Sequence, residues 1–547
     1  MRAASGLAIV VCVLTLNGCA AQQTTADKTR DRGEWFVDAA ERTGLRFTHA
    51  NGMSGGRFMT EILGSGVALF DYDNDGDLDV FLVQSKGRSR LFRNNLIETG
   101  TLSFSDVTDA SGITTSGYGM GVATGDFDND GFVDLYVTSF GTSQLFHNNG
   151  NGTFTDVSKA SRTAVAGWSV SAAFFDYDRD GWPDLFVGTY LQYSLEQNTK
   201  CFSPSGAVDY CTPNTYRPQP SRLFHNNHDG TFTDVTAKSG IGAEYGPALG
   251  VSTVDVDGDG WIDLFVANDS QPNQLWINQH DGTFKNVALA SGVALTAEGK
   301  AEASMGVDAG DADNDGDDDL FITEQNGEGH NLYVNDGKGM FEDQSARSGL
   351  ASASLAFTGF GTAWFDYDND GWLDLLTVNG AVQTIQSLAQ ANDPFPLHQT
   401  RQLFHNRGNL RFEDVSATAG AVFTMSEVGR GAAFGDVDND GDIDVVVNNN
   451  NGPARLLINN VGNRKHWIGL KLVPGARVEI IRKNTPTLWR RARVDGSYAS
   501  ANDPRVLVGL GEPTETPVVR VHWPDGRTTD VKNVAIDRYV VVEAPPR

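Results

Sequence analysis

Apolar residues along this chain come in short runs separated by polar, glycine-rich stretches, and the runs recur in a fixed order. A run such as "GVALF" (Gly66 to Phe70) leads into an acidic loop, and one such as "LYV" (Leu135 to Val137) leads out of it. A third run follows, "LFHNN" at Leu145 to Asn149, then a Gly-containing turn and a fourth, "TFTDV" at Thr153 to Val157. Short runs bounded by turn residues read as β-strands. Four strands per repeating unit make the blade of a β-propeller. The third-strand pattern occurs seven times, at Phe92, Phe146, Phe224, Trp276, Tyr333, Phe404 and, weakened, Leu457. The fourth follows only six of them, at Phe104, Phe154, Phe232, Phe284, Phe341 and Phe412. Yet "WFVDAAERTG" (Trp35 to Gly44), ahead of the first loop, reads like "TFTDVTAKSG" (Thr231 to Gly240). The pattern predicts an all-β chain with a seven-bladed propeller over residues 35–460, in which residues 35–40 supply the last blade's outer strand. Such a closure protects the seam from edge pairing. A change of composition after Asn460 marks a second, small β-domain over residues 461–547.

Between the first and second strands of each unit stands Asp-x-Asp-x-Asp-Gly-x-x-Asp. The aspartates are Asp71, Asp73, Asp75 and Asp79; Asp126, Asp128, Asp130 and Asp134; Asp176, Asp178, Asp180 and Asp184; and Asp255, Asp257, Asp259 and Asp263. Three more loops hold Asp311, Asp313, Asp315 and Asp319; Asp366, Asp368, Asp370 and Asp374; and Asp436, Asp438, Asp440 and Asp444. Carboxylates this dense repel one another unless a cation neutralises them. The spacing suits a hard divalent ion: carboxylates at positions 1, 3, 5 and 9, a glycine at 6 for a positive-φ turn, and a backbone carbonyl at 7. Position 7 is free to vary, as Phe132, Trp182 and Asp442 illustrate. Position 12 runs Leu82, Val137, Val187, Val266, Ile322, Thr377 and Val447, so none of these loops is an EF-hand. A lone match already favours a site over an acidic surface turn; seven copies point to calcium, up to seven structural ions.

The units resemble the FG-GAP or VCBS repeats of integrin-type propellers from Trp35 to Asn460. In the tail, "NRKHWIGLKL" (Asn463 to Leu472), "YASANDPRVLVGLG" (Tyr498 to Gly511) and "VHWPDGRTTDVKNV" (Val521 to Val534) resemble the ASPIC/UnbV domain. The combination is similar to bacterial relatives of cartilage acidic protein. One departure is that "LVPGARVEI" (Leu472 to Ile480) runs straight through where the family has a longer loop.

The ends and insertions carry the rest. Arg2 and the apolar Gly6 to Leu16 read as an export signal too short to span a bilayer. "LNGC" (Leu16 to Cys19) resembles a bacterial lipobox, which implies a signal peptide over 1–18, lipidation at Cys19 and a tether over 19–34. In a two-membraned organism, Ala20 after that cysteine implies the outer membrane. Cys201 and Cys211 remain as a disulfide pair in an oxidising compartment, stabilising by roughly 2–3 kcal/mol. Successive loops lie 55, 50, 79, 56, 55 and 70 residues apart, so two blades carry insertions, at about Thr189 to Ser221 and Gly380 to Arg401. Both fall between second and third strands and emerge on the face opposite the acidic loops, where function on a rigid scaffold is expected.

A net charge of −28 opposes nucleic-acid binding, and only the tail, at +6, is basic, which suggests that it docks on the acidic propeller. His147, His225 and His405 share one repeat position, which favours a structural role over catalysis. No HExxH or phosphate loop occurs. The sequence therefore predicts a monomeric, lipid-anchored envelope protein that binds a protein or glycan. The alternative is a hydrolase, lyase or isomerase acting on a saccharide or secondary metabolite at the mouth of the propeller channel.

Overall fold

The computed structural model describes residues 33–483, 485–512 and 516–545. The expected signal peptide, the lipidation residue Cys19 and most of the tether lie outside them. Residues 34–547 group into one compact unit. Among the described residues no helix is long and apolar enough to cross a membrane.

Each acidic loop joins two antiparallel strands. In the first unit Val67–Phe70 pairs with Asp79–Leu82, which pairs with Arg90–Asn94 and then Phe104–Asp106. The first two strands are buried along their whole length because a neighbouring unit packs on each face, while the third is buried except at Arg90 and Arg93, and Gln144–Asn148 except at the half-buried His147. This is why the inner strands read as continuous apolar runs, whereas the outermost strand keeps only its first residue, such as Phe104 or Phe154, buried. After the fourth strand the Asp156 carboxylate accepts the Ser158 N–H at 3.0 Å and opens a single helical turn, which accounts for the repeated "TDV" signature.

Two features depart from simple repetition. Phe36–Asp38 pairs with Arg455–Asn459, in the register Phe36 to Asn459 and Asp38 to Leu457, so the N-terminal strand completes the sheet of the last acidic loop. Val67, Leu69 and Leu82 of the first unit then share a core with Val446, Leu456 and Ile458 of the last. The second and third units merge into one eight-stranded sheet, because the long strand Ala166–Phe175 also pairs with Asp134–Thr142. Strand periodicity did not anticipate that merger, since it arises from pairing between units.

The C-terminal residues fold as two small sheets. One holds Leu488–Arg491, Arg477–Ile481, Val518–His522 and Thr528–Val531; the other holds Val506–Gly511, His466–Lys471 and Tyr539–Val541. Ile468, Leu470, Val478, Ile480, Val508, Val519 and Trp523 fill the space between them.

The segment from Asp495 to Asp503 leaves this domain and runs among the first strands of the propeller units. Leu69 and Val122 donate their N–H groups to the carbonyls of Ala501 and Ala499 at 3.0 Å each, and Val307 donates to Ser497 at 3.1 Å. Ser171 Oγ accepts the Ala499 N–H, Asp495 accepts the Thr253 N–H, Ser497 Oγ accepts the Thr362 N–H, and Asn502 Oδ1 accepts the Phe434 N–H. One loop thus pairs with the first strand of every unit. Gly66 and Gly121 make room for it, since a Cβ at either would meet the Ala499 carbonyl oxygen at 1.9 and 2.8 Å.

Candidate functional site

The acidic loops are shaped by their own backbones. At position 1, Asp71 accepts the N–H groups of Asp75 (3.1 Å) and Gly76 (3.0 Å), and Asp126, Asp176, Asp366 and Asp436 repeat this pair of bonds. At position 9, Asp79 accepts from Tyr72 (3.0 Å) and from Asn94 on the third strand (2.8 Å), a pattern kept through Asp444. Gly76 takes φ +98° at the turn and Asn74 takes φ +58° beside it.

The geometry draws the predicted ligands together. Single oxygens of Asp71, Asp73 and Asp79 lie within 4.8 Å of one another, as do those of Asp126, Asp128 and Asp130, and of Asp176, Asp178 and Asp180. The position-3 carboxylate is the informative one. Its Oδ1 is buried and without a hydrogen-bond donor in Asp73, Asp128, Asp178, Asp313 and Asp368. A buried oxygen left without a donor at one repeat position, loop after loop, is what an oxygen-ligated cation would satisfy. The donor set fits calcium.

Electrostatics agree. Burial, reinforced by the neighbouring carboxylates, pushes Asp71 and Asp176 up to about 6 and Asp263 to about 8. Asp311 rises to about 7, held down somewhat by Arg490. Burial also carries Asp79, Asp319 and Asp444 well above the usual carboxylate range.

The third-strand histidines lie against the loops. His147 Nδ1 is 3.3 Å from both Asp128 and Asp134, His225 sits likewise beside Asp178 and Asp184, and His405 is 3.1 Å from Asp374. In the first unit Arg93 holds that position and reaches Asp73 (2.8 Å) and Asp75 (3.0 Å). The Asp255 loop differs from the others in that Gly258 stands where they carry a position-4 side chain; its Asp255 Oδ1 is buried without a donor, as is Asp311 Oδ2.

Residue-type reasoning missed a set of asparagines. Asn148 Nδ2 donates to Val133 O in its own unit (3.2 Å) and to Tyr72 O in the preceding one (2.8 Å). Asn226, Asn278, Asn335, Asn406 and Asn459 do the same to Phe127, Tyr177, Val256, Ala312 and Tyr367. Asn94 reaches Val437 of the last unit at 3.0 Å, so this chain of bonds closes on itself. The signal was in the sequence as the first Asn of "LFHNN", a polar residue in a buried strand that must find partners.

The C-terminal domain lies over several of these loops. Arg505 donates to Asp436 O (2.6 Å), Tyr539 OH to Asp436 Oδ2 (2.9 Å), Lys465 to Asp368 (3.1 Å) and Arg490 to Gly371 O (3.3 Å). The basic tail therefore does dock on the acidic propeller.

At the other end of the ring the two insertions meet. Cys201 and Cys211 are disulfide-bonded within the first. Asp209 accepts the Thr384 N–H (3.0 Å) of the second, and Tyr210 donates to Glu61 (3.2 Å) of the stretch before the first strand. Met59, Leu63, Trp168, Tyr190, Tyr210 and Tyr498 form one apolar cluster beneath them.

The FG-GAP-like repeat signature matches residues 71–137, 126–187, 206–266, 255–322 and 311–377, and the ASPIC and UnbV signature matches 471–547. The chain belongs to the FG-GAP-like repeat family. Among curated relatives of this FG-GAP-like chain, cartilage acidic protein 1 of Homo sapiens is 28% identical over 318 residues, 55% of this chain and 44% of that protein. Its Mus musculus counterpart is 27% identical over 309 residues, 54% and 44%. The chain thus matches under half the length of these relatives. Among solved structures, a lectin from Burkholderia pseudomallei aligns with 10% identity and a TM-score of 0.43, over 73% of this chain and 96% of the lectin. An N-acetylglucosamine-recognising lectin from Agrocybe aegerita aligns with 16% identity and a TM-score of 0.36, over 64% and 79%. The repeat signature and the four-stranded antiparallel units make the fold an all-β propeller.

Proposed function

We propose that this chain is a seven-bladed, calcium-stabilised propeller, anchored in the cell envelope through a lipid at Cys19, that binds a protein or glycan on its insertion-bearing face. The observation that carries the calcium reading is the donor-less position-3 oxygen repeated in five loops. Seven pairings with a single axial loop, and a closed chain of asparagine bonds, support seven blades. The binding face is assigned by asymmetry. The acidic-loop side is partly covered by the C-terminal domain, whereas the opposite side presents non-repetitive insertions braced against each other through Asp209 and Thr384. Function on a rigid scaffold concentrates in such loops. A channel-mouth active site has less room than an open ring would give, since Tyr498 is fully buried on the axis with its ring 4.8 Å from Phe360.

The test immobilises the calcium-loaded mature chain without Cys19 and passes solubilised envelope extract over it, with a variant carrying alanine-rich loops in place of both insertions as control. A species retained by the native chain and lost from the variant is the expected result. Retention equal on both chains places binding elsewhere and overturns the assignment.

A further inference from the structure

On the side of the ring away from the acidic loops, the fifth unit carries carboxylates that belong to no repeat motif. Glu302 precedes its first strand (Val307–Gly310), and Glu324 and Glu328 follow its second (Asp319–Ile322). Strands of four residues, about 13 Å long, separate them from the Asp311 loop. At the repeat position of Glu324 the other units hold Gln84, Ser139, Thr189, Asn268, Asn379 and Asn449, all neutral. The charge at Glu324 is therefore particular to this unit.

Glu324 is completely buried. Its Oε1 accepts Ser304 Oγ at 2.9 Å and Asn331 Nδ2 at 3.3 Å, and the same Nδ2 donates to Glu302 Oε2 at 3.0 Å. One amide thus holds the two carboxylates together. Glu328 is fixed by the Ala303 N–H at 2.9 Å and by Lys300 Nζ at 2.7 Å, and that ammonium is also 3.9 Å from Glu302. Glu324 Oε2 is buried and has no hydrogen-bond partner. Burial, then the charges of Glu302 and Glu328, push the Glu324 carboxyl well above its usual range. An unsatisfied buried carboxylate oxygen beside two more carboxylates is costly unless a proton or a cation completes it, and a cation is the one of the two that also compensates Glu302 and Glu328.

We propose that Glu302, Glu324 and Glu328 form a site for a hard, oxygen-ligated divalent cation, separate from the repeat loops. Glu324 supplies the buried anchor, Glu302 and Glu328 the two outer carboxylates, and Asn331 and Ser304 orient the anchor. Lys300, more than half exposed, is the competing internal cation, and its flexible stem lets it withdraw into solvent when an ion binds.

Crystals of the full mature chain soaked in Mn²⁺, with anomalous difference maps, test this directly. The expected result is a peak within about 2.6 Å of carboxylate oxygens of Glu302 and Glu324. Peaks in the acidic loops with none here overturn this proposal and leave the calcium reading standing; a peak here with none in the loops does the reverse. In solution, Lys300→Met is expected to tighten the Mn²⁺ affinity of this site about tenfold and Glu328→Gln to weaken it about tenfold. Both residues are partly exposed, so both variants are expected to unfold in chelator as the native chain does. Unchanged Mn²⁺ titrations of both folded variants overturn the proposal.

Discussion

Single residues hold this ring together in ways that composition alone hides. Asn226 sits in a buried strand, with Nδ2 on Phe127 O (2.8 Å) and Pro183 O (2.9 Å) and Oδ1 accepting the His228 N–H (3.0 Å). Replacing it with alanine leaves two buried carbonyls and one N–H without partners. The expected cost is about 1–3 kcal/mol, read by chemical denaturation. An Asn226→Ala chain with an unchanged midpoint would show that the bond between units contributes nothing. Asn148 and Asn335 occupy the same position, so the identity of the residue was legible in the repeat. Its partner in the preceding unit was not, because that carbonyl is 99 residues away for Asn226 and 343 away for Asn94.

At the scale of the element, each acidic loop is folded by its own backbone bonds and holds more carboxylates than the side-chain cations that reach it, such as Arg93 and Lys465, can balance. In the metal-free chain Asp71, Asp176 and Asp255 sit at about 6, Asp311 at about 7 and Asp263 at about 8, all raised first by burial. Between about pH 4, where these groups ionise in the unfolded chain, and pH 8, the folded chain binds more protons than the unfolded one. Stability in chelator therefore falls as pH rises across that window. Calcium holds the same carboxylates ionised, so its stabilisation grows with pH. Thermal unfolding at pH 5 and pH 8, with chelator and with excess calcium, should show a midpoint that drops with pH only in chelator. The same drop in both would mean that the loops hold no ion. The ligand positions were legible from spacing alone, since the aspartates are local to nine residues; the guanidinium of Arg93 across Asp73 and Asp75 was not, because it arrives from the third strand.

For the whole molecule, the C-terminal domain is part of the propeller's interior. Tyr498 donates to Leu63 O at 2.7 Å, packs edge-on to Phe360 and is fully buried. Tyr498→Ala removes that contact from the axis and is expected to cost about 3–5 kcal/mol of stability for the entire ring, read as one shifted unfolding transition. Truncation after Asn460 strips the first strands of their partners at Ala499 and Ala501 and should lower the propeller's own thermal midpoint. A truncated ring as stable as the full chain would show that the axial loop is only a passenger.

The sequence by itself determined the elements, the fold class and the acidic loops, because strand periodicity and the Asp-x-Asp-x-Asp-Gly spacing are local and repeated. It also pointed to the N-terminal strand's place, because "WFVDAAERTG" repeats the fourth-strand pattern that the last unit lacks. Only the tertiary structure decided that residues 495–503 fill the axis, that the second and third units share a sheet, and that Glu302, Glu324 and Glu328 converge. Those arrangements depend on pairing and burial between segments far apart in the chain. A polar residue shows in the sequence that it needs a partner, but not which one the folded chain provides.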